Sequence, residues 1–510
     1  MSKRIVVNAG PIETRVAVQE GSLLTELYLE RSRHRSIVGS VYKGVVTNVL
    51  PGMQAAFVDI GLQKDAFLYA GDYTVNLGDA ARELLEASEE EDADLDVDEV
   101  EPKREASVPI EEVLRKGQDV LVQVSKESLG TKGARVTSFI SLPGRYIVYM
   151  PQAQHVGVSR RIRDEGERDR LRAALRGQPL PPGGFILRTN AEGKGEAEFG
   201  ADVEFLGRLW SQMQSRYAQA SPPAALHAEM DLIYRVVRDL LSSEVDEFVV
   251  DRRDVHDKVL ADVEALVPSL RERVKLHEGR TPVFEAYGIE KEIEKALRRR
   301  VWLKSGGYIV IDHTEALVSI DVNTGKYVGK RDFEQTVLKI NLEAVGEVVR
   351  QIRLRDLGGI IIIDFIDMEA AEHREQVEKA LKRALGEDKA RTNVLPISEL
   401  GLVEMTRKRV RQDLRALLTA PCPLCKGSGV TKSDATLAVE IYRAVQAKAA
   451  GAGPEEGREV VVRVAAELVP YLEGEGGEGL RKLGPELDRK ITIQTASAQA
   501  HREDYEIRLR

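Results

Sequence analysis

Cysteine is nearly absent, with two residues in 510, which excludes a disulfide-stapled scaffold and makes a reducing cytoplasm the expected setting. No apolar run approaches the roughly 20 residues needed to cross a bilayer. The opening MSKRIVVNAG runs straight into a strand-like pattern, without the apolar segment and cleavage site of an export signal. Aromatics are scarce at 5%, with two tryptophans. A surplus of positive charge is also missing, since the formal net charge is -9. That figure argues against a polyanionic partner only if the charge is spread evenly. A single small binding module is excluded by length, because at roughly 100–200 residues per domain the chain holds three to five.

The negative charge is not spread evenly. Residues 83–101, ELLEASEEEDADLDVDEVE, carry eleven Asp or Glu and no Lys or Arg, so the rest of the chain sums to +2. Nucleic-acid attraction follows local patches rather than the total. A run of like charges repels and buries nothing, so residues about 72–108 are expected to form a disordered loop.

Short strands are expected at Arg4–Asn8, Glu13–Val18 and Leu23–Glu30, and a small barrel between Val41 and about Ile140. Residues 138–200 read as mixed α/β, and Ser221-Pro222-Pro223 marks a joint before a helix near Leu226–Leu241. From Gly306 a βαβ unit is expected: strands Tyr308–Ile311 and Glu315–Asp321, a helix Phe333–Leu354, and a strand Gly359–Phe365. A crossover helix makes the strands it joins parallel. A further helix is expected near Ala435–Ala449, and a closing αβ piece from Val460.

Four patterns carry possible chemistry. In the βαβ unit, Asp321 and Asp364 are expected to emerge together at the carboxyl edge of the sheet, where open α/β sheets hold ligands. Two close carboxylates repel unless a cation lies between them, and Mg²⁺ takes one or two carboxylates plus waters and phosphates. Asn323 is placed to orient a carboxylate, and Arg391, Arg407 or Arg409 to neutralise a phosphate. Strand-end aspartates also serve as turn caps, and the pattern alone fits either. Cys422-Pro423-Leu424-Cys425 supplies half of a tetrahedral zinc site, which two chains could complete; a redox CxxC is the rival, but it belongs at a strand-to-helix junction. In the barrel, Tyr42, Phe57 and Phe67 with Lys43, Lys126 and Lys132 interleave rings and cations, a base-stacking pattern that a plain core would also produce. Arg188 to Gly195 departs from the phosphate-loop signature, with Arg188 in place of the first Gly and Gly195 in place of Ser or Thr, although Arg188 and Thr189 could grip one phosphate.

Together the stretches SVYKGVVTNVLPGMQAAFVDIG, FILRT, SGGYIVIDHTEALVSIDVNTGKYVG, NLEAVGEVVRQIRLRDLGGIIIIDFIDM and CPLCKGSG resemble the bacterial ribonuclease E/G family over nearly the whole chain. The resemblance implies a Mg²⁺-dependent, single-strand-specific endoribonuclease acting in rRNA processing and mRNA decay, cutting A/U-rich RNA to leave 5′-phosphate and 3′-hydroxyl ends. It implies Asp321 and Asp364 as Mg²⁺ ligands, Asn323 orienting Asp321, and Arg391 near the scissile phosphate. Phe57, Phe67 and Lys132 become an RNA clamp beside Lys126, and Gly144, Val148, Arg188 and Thr189 a pocket sensing a 5′-monophosphate. Cys422 and Cys425 become a Zn²⁺ link between protomers of a homodimer or homotetramer.

The implied architecture is multidomain α/β plus β. Residues 1–36 and 233–296 form an RNase H-like subdomain, with an S1 barrel of the OB-fold class inserted at 37–137. Residues 138–232 form the 5′-sensor region, 297–418 a DNase I-like catalytic subdomain, 419–432 the zinc-link and 433–510 a small C-terminal α/β dimerisation domain. The RNase H-like part is expected to be non-catalytic, since residues 1–36 hold only Glu13, Glu20, Glu26 and Glu30 as acids. Competing readings are a non-catalytic RNA-binding scaffold and a dithiol redox protein.

Overall fold

The computed structural model describes residues 2–31, 36–73, 108–127, 133–159, 161–325, 333–386, 388–398, 400–409, 411–423, 425, 427, 429–451, 458–496 and 501–510. The acidic run at 83–101 and Lys132 lie outside these residues. Two units separate along the chain, Met1–Leu417 and Leu418–Arg510. Among the described residues no helix is long and apolar enough to cross a membrane.

Strands β1 (Lys3–Ala9), β2 (Glu13–Glu20) and β3 (Leu23–Arg31) form an antiparallel meander, each slightly longer than the pattern predicts. The chain then builds the barrel from β4 (Val41–Leu50), β5 (Ala55–Asp59), β6 (Ala66–Tyr69), β7 (Asp119–Lys126) and β8 (Arg135–Thr137). Pairing of β4 with β7 closes it. Gly44 permits that closure, since a Cβ there would lie 2.6 Å from Val58 Cγ1. Period-two alternation points Val46, Val58, Leu68, Val122 and Val136 inward and leaves Phe57, Phe67 and Tyr69 half-buried outside.

Strands β9 (Leu142–Pro143), β10 (Ile147–Met150), β11 (Val156–Val158) and β12 (Gly184–Leu187) make a sheet ordered β11-β12-β10-β9, packed on the helices Glu165–Arg176 and Glu196–Gln219. The single helix expected from Leu226 is replaced by two elements. Residues after Pro222-Pro223 extend as β13 (Ala224–His227), which adds to β4, and the helix is Leu232–Asp239. Asp231 caps that helix by accepting from Tyr234 N at 2.9 Å, which places its start after Leu226 has entered the core.

Strands β14 (Val245–Val250) and β15 (Val274–Leu276) then return to the N-terminal meander, giving the order β15-β14-β1-β2-β3 with β1, β14 and β15 parallel.

The six-stranded sheet follows: β16 (Arg300–Trp302), β17 (Tyr308–His313), β18 (Leu317–Asn323), β19 (Gly359–Asp364), β20 (Thr392–Val394) and β21 (Leu402–Arg407), ordered β16-β17-β18-β19-β21-β20. The crossover helix Phe333–Arg355 makes β18 and β19 parallel, as expected. One face of this sheet buries Ile309, Ile320, Ile361, Ile363 and Val403 against that helix and Ala371–Leu385. Each such side chain contributes about 1.5–3 kcal/mol, and the opposite face, with Asp321 and Asp364, is left to solvent.

The second unit packs the helix Asp434–Ala450 on β22 (Glu459–Val464), β23 (Lys490–Thr495) and β24 (Tyr505–Leu509), ordered β23-β22-β24.

Candidate active site

Strand pairing alone brings the two aspartates together. In the parallel pair β18–β19, Asp321 is the register partner of Asp364. The antiparallel neighbours extend this row to Val310 and Arg300 on one side and Leu402 on the other. Register partners share a sheet face and stand ~4.8 Å apart, so both carboxylates project from the hydrated face, where both residues are exposed. Burial, and then the Asp321 and Asp367 carboxylates, push the Asp364 carboxyl above its ordinary value. Asn323 Nδ2 donates to Asp321 Oδ2 at 2.8 Å. Strand β18 runs two residues beyond Asp321, and that extension sets Asn323 on the same face as its partner.

Two supporting residues were not legible as such. Asp367 adds a third carboxylate just past β19, and it is visible in IDFIDM only once the loop is known to turn back toward Asp364. Asn341 is fully buried in the crossover helix, donating to Ile366 O at 2.8 Å and accepting from Ile366 N at 3.1 Å. It therefore clamps the loop that carries Asp367. Arg299, Arg300, Tyr308, Val310, Asp321 and Asn323 line one shallow cleft.

The structure does not bring the expected arginines to this pair. Thr392 pairs with Arg407, and Arg407 pairs with Gly359 at the start of β19. Arg391, one residue before β20, therefore lies at the far end of the sheet, about 20 Å along the strands from Asp364 at ~3.3 Å per residue. Arg407 is buried between Asp388 (2.7 Å) and Asp356 (2.8 Å). Arg409 lies against Gly358 and Gly359 at the same end. Strand direction is the reason: β21 runs back antiparallel from Leu402 beside Asp364, while β20 runs parallel to β19 and begins at its far end, after the helix Ala371–Leu385.

On the barrel, register aligns Phe57 with Phe67, Phe67 with Arg135, and Arg135 with Lys126 across four strands. Phe57 and Phe67 meet edge to face at 5.6 Å, Phe67 meets Tyr69 at 4.5 Å, and the Arg135 guanidinium lies 4.4 Å from the Tyr69 ring centroid. Tyr69 and Arg135 thus join the expected Phe57, Phe67 and Lys126 in one half-buried strip. Tyr42 packs against the barrel core instead. Lys43 turns to Tyr217 O at 3.2 Å and Ala220 O at 3.0 Å, at the end of the helix Glu196–Gln219.

The expected sensor residues gather around one arginine. Arg188 Nη1 donates to Gly144 O at 2.7 Å and pairs with Asp239 Oδ1 at 2.7 Å. Thr189 Oγ1 lies 3.3 Å from Ser159 Oγ. Gly144 is required by close approach, because a Cβ would come 2.7 Å from Asp202 Oδ2. Val148 lies in β10, two residues after Tyr146, whose carbonyl accepts from Arg188 N. Burial alone would raise the Asp239 carboxyl, but the Arg188 and Arg238 guanidiniums hold it well below the usual range. Nothing in the local sequence marks Asp239 as the partner of Arg188.

The sequence itself matches known proteins. A profile of the Ribonuclease E/G family matches residues 141–410, and one of the RNase E/G thioredoxin-like domain matches residues 421–510. Ribonuclease G of Escherichia coli (strain K12) is 45% identical over 445 residues, 87% of this chain and 88% of that protein. The chain belongs to the ribonuclease E/G family. Ribonuclease G of Haemophilus influenzae is 44% identical over 86% of each chain. Ribonuclease E of Escherichia coli (strain K12) is 37% identical over 93% of this chain but 43% of its own length. Membership of the ribonuclease E/G family makes this chain an endoribonuclease.

In the second unit of this ribonuclease E/G chain, Cys422 and Cys425 are free thiols, the first exposed and the second half-buried. Backbone N–H groups of Gly429 and Gly427 donate toward the Cys425 sulfur and lower its thiol pKa, and a hydrogen bond from Cys422 adds to this. Positive φ at Gly427 (92°) and Gly429 (73°) lets the loop aim those groups. A lowered thiol pKa favours the thiolate form that binds metal. The pair precedes the helix Asp434–Ala450 and follows no strand, so the strand-to-helix junction of a redox CxxC is missing here. Among the described residues no group of three or more His, Cys, Asp or Glu forms a closed metal site.

Proposed function

We propose that this chain hydrolyses single-stranded RNA over the Asp321–Asp364 row in a Mg²⁺-dependent reaction that leaves 5′-phosphate and 3′-hydroxyl ends. The observation that supports it is the register of Asp321 with Asp364 on adjacent parallel strands. Two exposed like charges held there by strand pairing fit a cation completed by waters and phosphate oxygens, which is how Mg²⁺ is usually bound. When bound, Mg²⁺ would offset their repulsion and stabilise charge building on the attacked phosphodiester. Asp321 and Asp364 hold the ion, and Asn323 keeps Asp321 in one rotamer. Attack of water on phosphorus breaks the bond to the 3′ oxygen, which takes a proton and leaves as the hydroxyl.

The wider reading follows the family. The barrel is an S1 domain whose Phe57, Phe67 and Lys126 strip receives unpaired bases, and Lys132, outside the described residues, belongs to the same proposed clamp. Gly144, Val148, Arg188 and Thr189 receive a 5′-monophosphate, for which one guanidinium is the matching partner. The β15-β14-β1-β2-β3 order supports the RNase H-like assignment, and its acids support a non-catalytic role: Glu13 pairs with Arg31, Glu20 and Glu26 with Arg353, and Glu30 with Arg235. The six-stranded sheet is the DNase I-like part. Cys422 and Cys425 from two chains complete a Zn²⁺ site in a homodimer or homotetramer. A/U-rich substrates, rRNA processing, mRNA decay and a cytoplasmic setting complete the proposal. Arg391 has no role at the cleaved linkage in it.

A 5′-monophosphorylated single-stranded oligonucleotide, incubated with and without Mg²⁺, tests the reading. Asp321→Asn and Asp364→Asn should each lose about 10²–10³ in cleavage rate while binding RNA as the parent does. Turnover in either variant within tenfold of the parent removes the pair from the reaction.

A further inference from the structure

The sheet face that carries the two aspartates also carries an aromatic group that the cleavage chemistry leaves unused. Register pairs Trp302 with Tyr308 and Tyr308 with Asn323, a row directly beside the one holding Arg300, Val310, Asp321 and Asp364. Trp302 is 62% exposed. Its ring meets Tyr308 edge to face, with centroids 5.3 Å apart and planes at 64°. The Arg300 guanidinium lies 4.4 Å from the Tyr308 centroid and 5.8 Å from that of Trp302.

Core packing does not account for this group. The buried cluster of the sheet is on the other face, with Ile309, Ile311 and Ile320, and Trp302 adds nothing to it. A large indole held in water on an edge strand is, among the described residues of this unit, an apolar surface without a covering partner. Its surroundings say which partner fits. Arg300 and Tyr308 open into the same cleft as Asp321 and Asn323. Two interstrand steps separate Trp302 from Asn323, about 10 Å at ~4.8 Å each. A single strand that follows this cleft from the carboxylates reaches this ground, and a π-face beside a guanidinium offers it both of the contacts that unpaired nucleic acid takes, stacking for a base and charge for its phosphate.

Resting on the reading that Asp321 and Asp364 hold the cleaved linkage, we infer that Trp302, backed by Tyr308 and Arg300, is a stacking seat for an RNA base flanking that linkage. The seat is base-tolerant, because every base has a π-face, and it positions the strand without touching the reacting atoms.

The test compares the parent with Trp302→Ala and Trp302→Phe on oligonucleotides in which one abasic site is moved along the strand. Trp302→Ala should lower kcat/KM about tenfold, chiefly through KM, and Trp302→Phe should recover most of it. One flanking position should be sensitive to base removal in the parent and insensitive in Trp302→Ala. Binding without divalent metal gives a second readout: in a Trp210→Phe background the remaining Trp302 fluorescence should be quenched by single-stranded RNA and less so by an oligonucleotide abasic at that position. An identical abasic profile in parent and Trp302→Ala overturns the seat, as does a smaller oligomer mass in Trp302→Ala with that profile unchanged, which would assign the indole to a second copy of the chain. Cleavage by Asp321→Asn at the parent's rate would instead remove the assignment of the linkage, an outcome separable from failure of the seat, since metal-free quenching needs no cleavage.

Discussion

Asn323 donates through Nδ2 to Asp321 Oδ2 at 2.8 Å, two residues further along the same strand face. One carboxylate oxygen is thereby committed, and the side chain is held in one rotamer before any ion or phosphate arrives. Asn323→Ala should keep RNA affinity and lower the cleavage rate by about ten- to hundredfold, because a carboxylate free to rotate presents its oxygens less often in the productive geometry. Asn323→Asp places another negative charge in the row, so its rate should fall further and recover in part as Mg²⁺ is raised. Cleavage rates at graded Mg²⁺ check both; a parent-like Asn323→Ala would show that strand geometry alone orients Asp321.

Asp364 sets the acid side of the pH profile. Burial, Asp321 and Asp367 all raise its carboxyl, so the activity that needs its charge should fall away at a higher pH than an ordinary aspartate, near ~3.9, would allow. Asp367→Asn removes one of the repelling charges and should move this limb to lower pH. The sign for stability is the reverse of a salt bridge. Since the folded-state value lies above the unfolded one, ionisation opposes folding, an effect absent in acid and fully present at neutral pH. Asp364→Asn should therefore melt no lower than the parent at pH 7. Profiles of kcat/KM at subsaturating Mg²⁺, with thermal melts, supply the measurements.

Arg188 shares its charge between Asp239 and the Gly144 carbonyl. A phosphate bound beside it gains a charge-assisted hydrogen bond worth about 1.5–3 kcal/mol. Arg188→Ala should collapse the preference for 5′-monophosphorylated over 5′-hydroxyl RNA by about tenfold or more and leave cleavage of 5′-hydroxyl substrates nearly unchanged. Paired assays on the two substrates decide it, and a preference that survives the substitution places the sensor elsewhere.

In the proposed zinc link, Cys422 and Cys425 supply two of the four ligands that structural zinc takes. Removing metal with a chelator, or substituting Cys422→Ser, should halve the mass of the assembly in solution, with the loss reversed by added Zn²⁺ only in the parent. Mass measurement with metal analysis checks this. An assembly unchanged in mass and holding no zinc would return the pair to a dithiol role.

Local pattern was enough to show that Asp321 and Asp364 lie side by side. The apolar spacing from Phe333 reads as a crossover helix, and a crossover imposes parallel strands. The Phe57 and Phe67 strands are likewise visible as parts of a barrel. Periodicity records which side of an element is wet, a property each segment carries in its own residues. What it does not record is which distant segment arrives at the other side. That Lys3 aligns with Val245, that Arg188 meets Asp239, that Lys43 is drawn off to Tyr217, and that Arg391 ends at the far edge from Asp364 all depend on long-range register and strand direction. Trp302 shows the same division: its residue type is plain in the sequence, but only the pairing of β16 with β17 sets it exposed on the carboxylate face. The chain's own residues determine the elements and the chemistry they carry; their neighbours in space follow from closing long loops around shared cores, a free energy spread over the whole fold rather than written in any one segment.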